Sequence, residues 1–447
     1  MKKINIVWFI LMPGLAMWLG WGIRGQIGHS NGAMIPGAFL ALALCILLRG
    51  KKFSPGLLIG LTAVGFGFGA DMTTMESAGM VIGGIHPPAG SVALGYLGLA
   101  TKGALWALFG GAGLAMALAA SRYRRKDIVL GIIFMVASFY AGWALINRRR
   151  FLQLSLVRPE IWAGLLFAGV VLIAWLTVRG HTKIPLVLAL CAVVAGAIGY
   201  PVAVTLCSAG IHSSIGGVDW WKVAETTFGT FMGVGLGIGT YFLRDQLPDA
   251  EGTQQPVSSA GLDVWGVILG VAIALIATAL YQTIVPWLLL GSLLWCSAYF
   301  SEKLAWHIGV TLTYFGTAAN VVVYWVHEQR IGNAAVLWTL AVLTTVVVAW
   351  KVTTWWNRAD KTVARNSFIF VVWTILILEY LKMFIDRAVV NPTAQALAAA
   401  GGRWAYTFKA WGGWGHQFLT NVFFTIVALI LTWMAFRTSC REESPGK

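Results

Sequence analysis

The chain has 447 residues, of which 58% are hydrophobic and only 11% charged, against about 25% charged in an ordinary soluble domain. Its mean hydropathy is +0.76. So apolar a chain cannot cover a water-facing surface with polar groups, which excludes a soluble globular domain and makes lipid the solvent for much of it. The net charge of +15 does not point to nucleic acid, because no basic stretch falls on a polar element. It fits basic connections held at the cytoplasmic face.

Apolar runs of about 18 to 24 residues match the length needed to cross a bilayer as a helix, and they do not alternate as barrel strands would. The fold class expected is therefore all-α integral membrane, with about fourteen transmembrane helices. The spans fall near 4–22, 32–49, 55–70, 100–120, 127–146, 160–178, 184–206, 223–243, 264–283, 285–301, 304–326, 332–352, 366–386 and 414–436. The basic start and long apolar run at the N-terminus resemble a signal peptide, but no small-residue cleavage site follows and further spans do, so a retained first span is expected. The five scattered cysteines lack ligand spacing, and neither a disulfide framework nor a zinc site is expected.

After the first span comes Gly22-Ile23-Arg24-Gly25-Gln26-Ile27-Gly28-His29-Ser30-Asn31-Gly32. It is too apolar for a plain solvated loop. Its glycines let backbone amides approach a ligand, and Arg24 offers a planar, permanently charged fork for an anion. Arg24, Gln26, His29 and Asn31 are candidate substrate-binding residues, although an interfacial turn facing headgroups would have the same composition. The third span ends in Gly65-Phe66-Gly67-Phe68-Gly69 followed by Asp71 and Glu76. A nucleotide fingerprint is rejected, since no strand precedes the glycines. They suggest close helix packing or a break, and a break would turn Asp71 and Glu76 towards one site.

Next stands Gly83-Gly84-Ile85-His86-Pro87-Pro88-Ala89-Gly90-Ser91, in an apolar stretch with no room for a full span. A re-entrant segment stiffened by its two prolines is expected there. His86-Pro87-Pro88-Ala89-Gly90, with Ala93-Leu94 after it, resembles the signature of the HPP family of four-helix membrane proteins. That resemblance covers about nine residues, and it implies four helices per unit and transport of a small anion, since some members are linked with nitrite.

Spans five to eight echo spans one to four. Arg49-Gly50 and Pro55 recur as Arg179-Gly180 and Pro185, Gly84-Ile85-His86 as Gly210-Ile211-His212, and Gly111 and Gly113 as Gly237 and Gly239. A tandem four-helix repeat is expected, 1–126 and 127–246. An even number of spans per unit makes the copies parallel, a plan found in transporters. His212, Asp219 and Glu225 are the second unit's candidates, beside Asp71, Glu76 and His86 of the first. A polar linker at 247–262 then leads to a six-helix bundle at 263–447, where Thr313, Thr317 and Asn320 form a stripe fit for interhelical hydrogen bonds. No His-x-x-x-His or Glu-x-x-His pair supports a metal, and no cofactor is expected.

With Lys2 and Lys3 inside, alternate connections hold most of the basic residues, although Arg148-Arg149-Arg150 does not conform. Both termini are therefore expected in the cytoplasm, and the chain in the cell membrane. The expected function is a multi-pass transporter or permease for a small polar solute, anions included, bound in the outer half of the membrane, with a proton or ion as coupling partner. Ionisable groups in such surroundings default to function. Two alternatives stand beside it: a membrane enzyme at the outer interface using His86, His212, Asp71 or Glu76 as acid or base, and a structural subunit of a membrane complex.

Overall fold

In the computed structural model the described residues are 4–27, 32–69, 75–83, 91–155, 160–213, 215, 218–249, 292, 295–296, 298–299, 301–323, 325–326, 333–357, 363–389, 398 and 415–440. His29, Asn31, Asp71, the whole His86-Pro87-Pro88-Ala89-Gly90 motif, the linker beyond Asp249 and most of the expected spans at 264–283 and 285–301 lie outside them, as does the Gln26 side chain.

The described elements are helices. They are α1 (Ile6–Ile27), α2 (Met34–Leu47), α3 (Pro55–Gly69), α4 (Met75–Ile82), α5 (Val92–Leu118), α6 (Arg125–Gly142), α7 (Trp162–Gly180), α8 (Ile184–Ile211), α9 (Trp220–Leu243), α10 (Glu302–His307), α11 (Thr313–Val323), α12 (Ala334–Asn357), α13 (Val363–Val389) and α14 (Gly415–Cys440). A π-helical turn extends α6 through Trp143–Asn147, and another, Ile308–Leu312, joins α10 to α11.

Among the described residues eight helices are long and apolar enough to cross a membrane: Ile6–Gly25, Val92–Leu118, Arg125–Asn147, Trp162–Gly180, Ile184–Ile211, Ala334–Thr354, Val363–Lys382 and Thr420–Thr438. Two of the expected spans lie mostly outside the described residues. The helices α2 and α3 have 14 and 15 residues, short of the roughly 20 that a bilayer needs, and other helices enclose almost all of their side chains. With 8 residues, α4 is too short to cross a bilayer, and the expected re-entrant segment beyond Gly83 lies outside the described residues.

Glycine sets how closely these helices pack. Without a hydrophobic driving force in lipid, small residues bring backbones into contact. Gly229, Gly233 and Gly237 form a stripe down α9, and β-carbons there would strike the carbonyls of Met17, Pro13 and Phe9 on α1. Gly103 on α5 and Gly196 on α8 each face the other's carbonyl oxygen. The Gly65–Gly69 run packs closely: α3 continues unbroken to Gly69, and Gly65 and Gly69 lie against Phe109 and Trp106 of α5.

One end of the bundle collects the basic connections. Arg244 Nη1 donates to the Ile4 carbonyl at 2.6 Å, Lys51 Nζ pairs with Asp249 at 2.8 Å, and the Arg49 guanidinium donates to the Thr438 carbonyl. Tyr299 Oη reaches the Ala120 carbonyl at 2.7 Å, and Arg179 pairs with Asp127 at 2.8 Å. The opposite end carries Arg24, Arg148–Arg150, Glu160, His212 and Asp219. Within the two expected repeat units the neighbours correspond: α1–α2–α3–α5 pack in sequence, as do α6–α7–α8–α9. Between the units they do not. The extensive face of α1 on α9 has no counterpart between α6 and α5.

Candidate functional site

Arg24 lies in the last turn of α1, at the end opposite the basic connections. Its guanidinium carbon stands 5.3 Å from the Trp21 ring centroid and 5.4 Å from that of Trp106 on α5, each contact contributing about 0.5–2 kcal/mol. The two indoles meet edge to face at 4.6 Å. Phe228 of α9 packs on Trp21 at 5.2 Å and stacks on Tyr200 of α8 at 4.4 Å. Trp106 is locked in turn by its indole N–H, which donates to the Phe66 carbonyl at 3.0 Å. Four helices thus hold the aromatic floor beneath one cation.

Charge around Arg24 comes from the first turns of α9. Glu225 Oε1 lies 3.9 Å from Arg24 Nη1, whereas Glu225 Oε2 takes a 2.6 Å contact from Lys222. Lys222 therefore satisfies most of the carboxylate, and the three groups together keep one positive charge. Arg24 Nε is buried without a hydrogen-bond acceptor, an arrangement that a bound anion would relieve. Room for Glu225 exists because position 25 is glycine: a β-carbon there would overlap its carboxylate.

A second polar group lies one turn further out along α5. Ser91 caps this helix, accepting from the Leu94 amide at 3.2 Å, and Lys102 sits about 16 Å further along at 1.5 Å per residue. Its side chain is 1% exposed and pairs at 3.3 Å with Glu160, 5% exposed, in the connection ahead of α7. Lys102 Nζ also donates to Ser77 Oγ at 2.9 Å, and Ser77 donates to the Leu154 carbonyl at 3.0 Å. The Leu154 amide closes the ring by donating to Glu160 Oε2 at 2.8 Å. Glu76, half-buried at the start of α4, acts through space on both Lys102 and Glu160.

Among the residues expected from sequence, Arg24 and Glu225 therefore meet, and Glu76 belongs with the second group. Asp219 is the N-cap of α9, accepting from the Lys222 amide at 3.2 Å. It sets where Lys222 and Glu225 emerge. His212 is exposed at the C-terminus of α8, its Nδ1 2.8 Å from the Ser208 carbonyl, and no described contact joins it to Arg24. The hydroxyls of Thr313 and Thr317 turn back onto the carbonyls of Gly309 and Thr313 in their own helix, so the expected bonds between helices are not the ones they make. Among the described residues no group of three His, Cys, Asp or Glu side chains is gathered as for a metal ion.

Lys102, Glu160 and the indoles of Trp21 and Trp106 are the members that sequence reasoning missed. Trp21 and Arg24, at i and i+3, share a helix face and carried a usable signal. No protein-family model, curated protein or solved structure matches the chain.

Proposed function

We propose that the chain is a multi-pass membrane permease for a small anionic solute, which binds at Arg24 in the outer half of the bilayer. One observation carries this reading: a guanidinium over two indoles, with a buried N–H lacking an acceptor and a carboxylate drawn away by Lys222. A small anion would complete the fork bidentately, and the aromatic floor would keep water from competing.

The same reading takes the bundle as about fourteen spans, with both termini in the cytoplasm of the cell membrane. The clustering of basic connections at one end supports this, because such connections remain on the cytoplasmic side. A parallel duplication of the first eight spans is retained for the matching neighbour order within each unit. The unequal contacts between units would then reflect divergence at their interface.

The test is thermal unfolding of the purified protein with nitrite, nitrate, acetate or phosphate, followed by uptake of the best binder into proteoliposomes. A ligand at a hundred times its Kd stabilises by about 2.7 kcal/mol. At least one anion should raise the melting temperature of the native protein and leave Arg24→Ala unmoved. Equal shifts in both, or none in either, would reject the site. Binding without uptake would favour an enzyme or a receptor.

A further inference from the structure

The connection from α6 to α7 opens with Arg148-Arg149-Arg150, at the end of the bundle away from the other basic connections. A basic cluster there runs against the charge bias that orients membrane helices, and so needs a physical cause of its own. All three arginines are exposed, and among the described residues none of them is paired with a carboxylate. The one acid of the connection, Glu160, is buried against Lys102. Permanent positive charges thus face outward with no counter-charge from the described protein.

The turn that bears them is fixed at both ends. Asn147 Oδ1 accepts from the amides of Ala163 and Gly164 at 3.0 and 3.2 Å, which ties its start to α7. Leu154 is buried, with its carbonyl held by Ser77 and its amide by Glu160. Between these anchors Arg150 has φ 54°, the left-handed conformation in which a helix end usually carries glycine. Glycine would close the turn with less strain and would remove a charge. Phe151 follows, 76% exposed, and then Leu152, 45% exposed. On α6 and its π-helical turn just before the arginines, Tyr140 and Leu145 are exposed as well, and Arg148 lies 5.8 Å from the Trp143 ring centroid. Cations beside exposed aromatic and aliphatic side chains match a bilayer interface, where phosphates border acyl chains.

We propose that this turn binds an anionic lipid, whose headgroup phosphate is held by Arg148, Arg149 and Arg150 while its acyl chains lie against Phe151 and the exposed flank of α6. A guanidinium fork takes phosphate oxygens in pairs, and the apolar residues beside it select a lipid over a phosphate free in water. The buried Lys102–Glu160 pair gains a purpose here. Through the Leu154 amide it holds the far end of the turn, so that the charges stand at a fixed level. The site is independent of the reading of Arg24.

Quenching by brominated lipids reads the turn directly. A fluorophore is attached at Leu152→Cys in the full-length protein, lacking its native cysteines and reconstituted in lipid vesicles. Brominated phosphatidylglycerol should bind beside it at least about fivefold more tightly than brominated phosphatidylcholine, the preference expected of even one arginine at a membrane surface. Added salt should weaken the preference, whereas a change from about pH 6 to 9 should not, because guanidinium stays charged throughout. Arg150→Gly suits the left-handed backbone, so it should keep the thermal midpoint within a few degrees and lower the preference several-fold. Arg148→Gln/Arg149→Gln, at exposed positions, should lower it too, and the triple variant should bring it close to one. Equal quenching by both lipids in the native protein, or a preference that the triple variant retains, overturns the site. So does a preference erased by inorganic phosphate at constant ionic strength, which would make the occupant a soluble phosphate.

Discussion

Gly25 and Glu225 occupy complementary space: the carboxylate of α9 fills the volume that a side chain on α1 would need. The negative partner of Arg24 is thus placed by the lack of an atom. Gly25→Ala should expel Glu225 from its position while leaving the aromatic floor in place. With the competing carboxylate moved off the guanidinium, we expect apparent anion affinity to rise, with the unliganded melting temperature changed by only a few degrees. A Gly25→Ala protein that binds as tightly as the native one would show that Glu225 does not shape the site.

Arg24 acts through its planar fork as well as its charge. Lysine keeps the charge and loses both the bidentate geometry and the stacking on two rings. Arg24→Lys should therefore weaken anion binding by about 1–3 kcal/mol, in the range of charge-assisted hydrogen bonds, and Arg24→Ala should abolish it. Arg437→Ala, at the opposite end over Trp433, should leave binding as it was. If Arg24→Lys binds normally, simple electrostatic attraction suffices and the stacked geometry is incidental.

The Lys102–Glu160 pair makes a separate claim on stability. Removing one partner of a buried pair leaves the other uncompensated, at a cost of about 3–5 kcal/mol. Lys102→Met should accordingly lower the thermal midpoint sharply. The double replacement with Glu160→Met should recover most of the loss, since apolar side chains of similar size can fill such a site. Additive losses in the double-mutant cycle would mean that the two side chains are not energetically coupled.

Sidedness can be read by labelling. Lys52 is exposed at the end with the basic connections, and Arg149 is exposed at the opposite end. In a background lacking the native cysteines, Arg149→Cys should react with an impermeant maleimide on intact cells. Lys52→Cys should react only after the membrane is opened. The reverse pattern would invert the orientation and place Arg24 on the inner side.

Helices were legible in the sequence because long apolar runs and their bounding basic clusters are local properties, and the convergence of those clusters at one end follows from their alternation. Span length was less legible. The apolar runs behind α2 and α3 read as full spans, yet α2 and α3 are short helices enclosed by neighbours, and hydropathy does not distinguish lipid from a protein interior. Arg24 stood out as a cation among glycines, and Glu225 as an acid entering a span. Lys102 did not, because it sits near the predicted beginning of a span, where a basic residue is ordinary. Glu160 follows Arg158 and Pro159 at the first position of an expected span, where a charged residue is equally ordinary. Only folding back of the connection ahead of α7 over α4 and α5 makes the two partners.

The helix α14 follows every other described helix in the chain, yet it packs against the first. Phe424 lies edge-on to Trp18 at 5.5 Å and against Gly22, within one turn of Arg24. During synthesis α1 must therefore wait in the bilayer, with that flank covered by lipid or by an insertion factor, until α14 is released. A chain interrupted anywhere before α14 would bear its defect beside Arg24, far along the sequence from the break. Nonsense or frameshift lesions ahead of α14 should thus resemble substitutions in the first helix, and the cell's quality-control proteases would meet the same exposed flank in both.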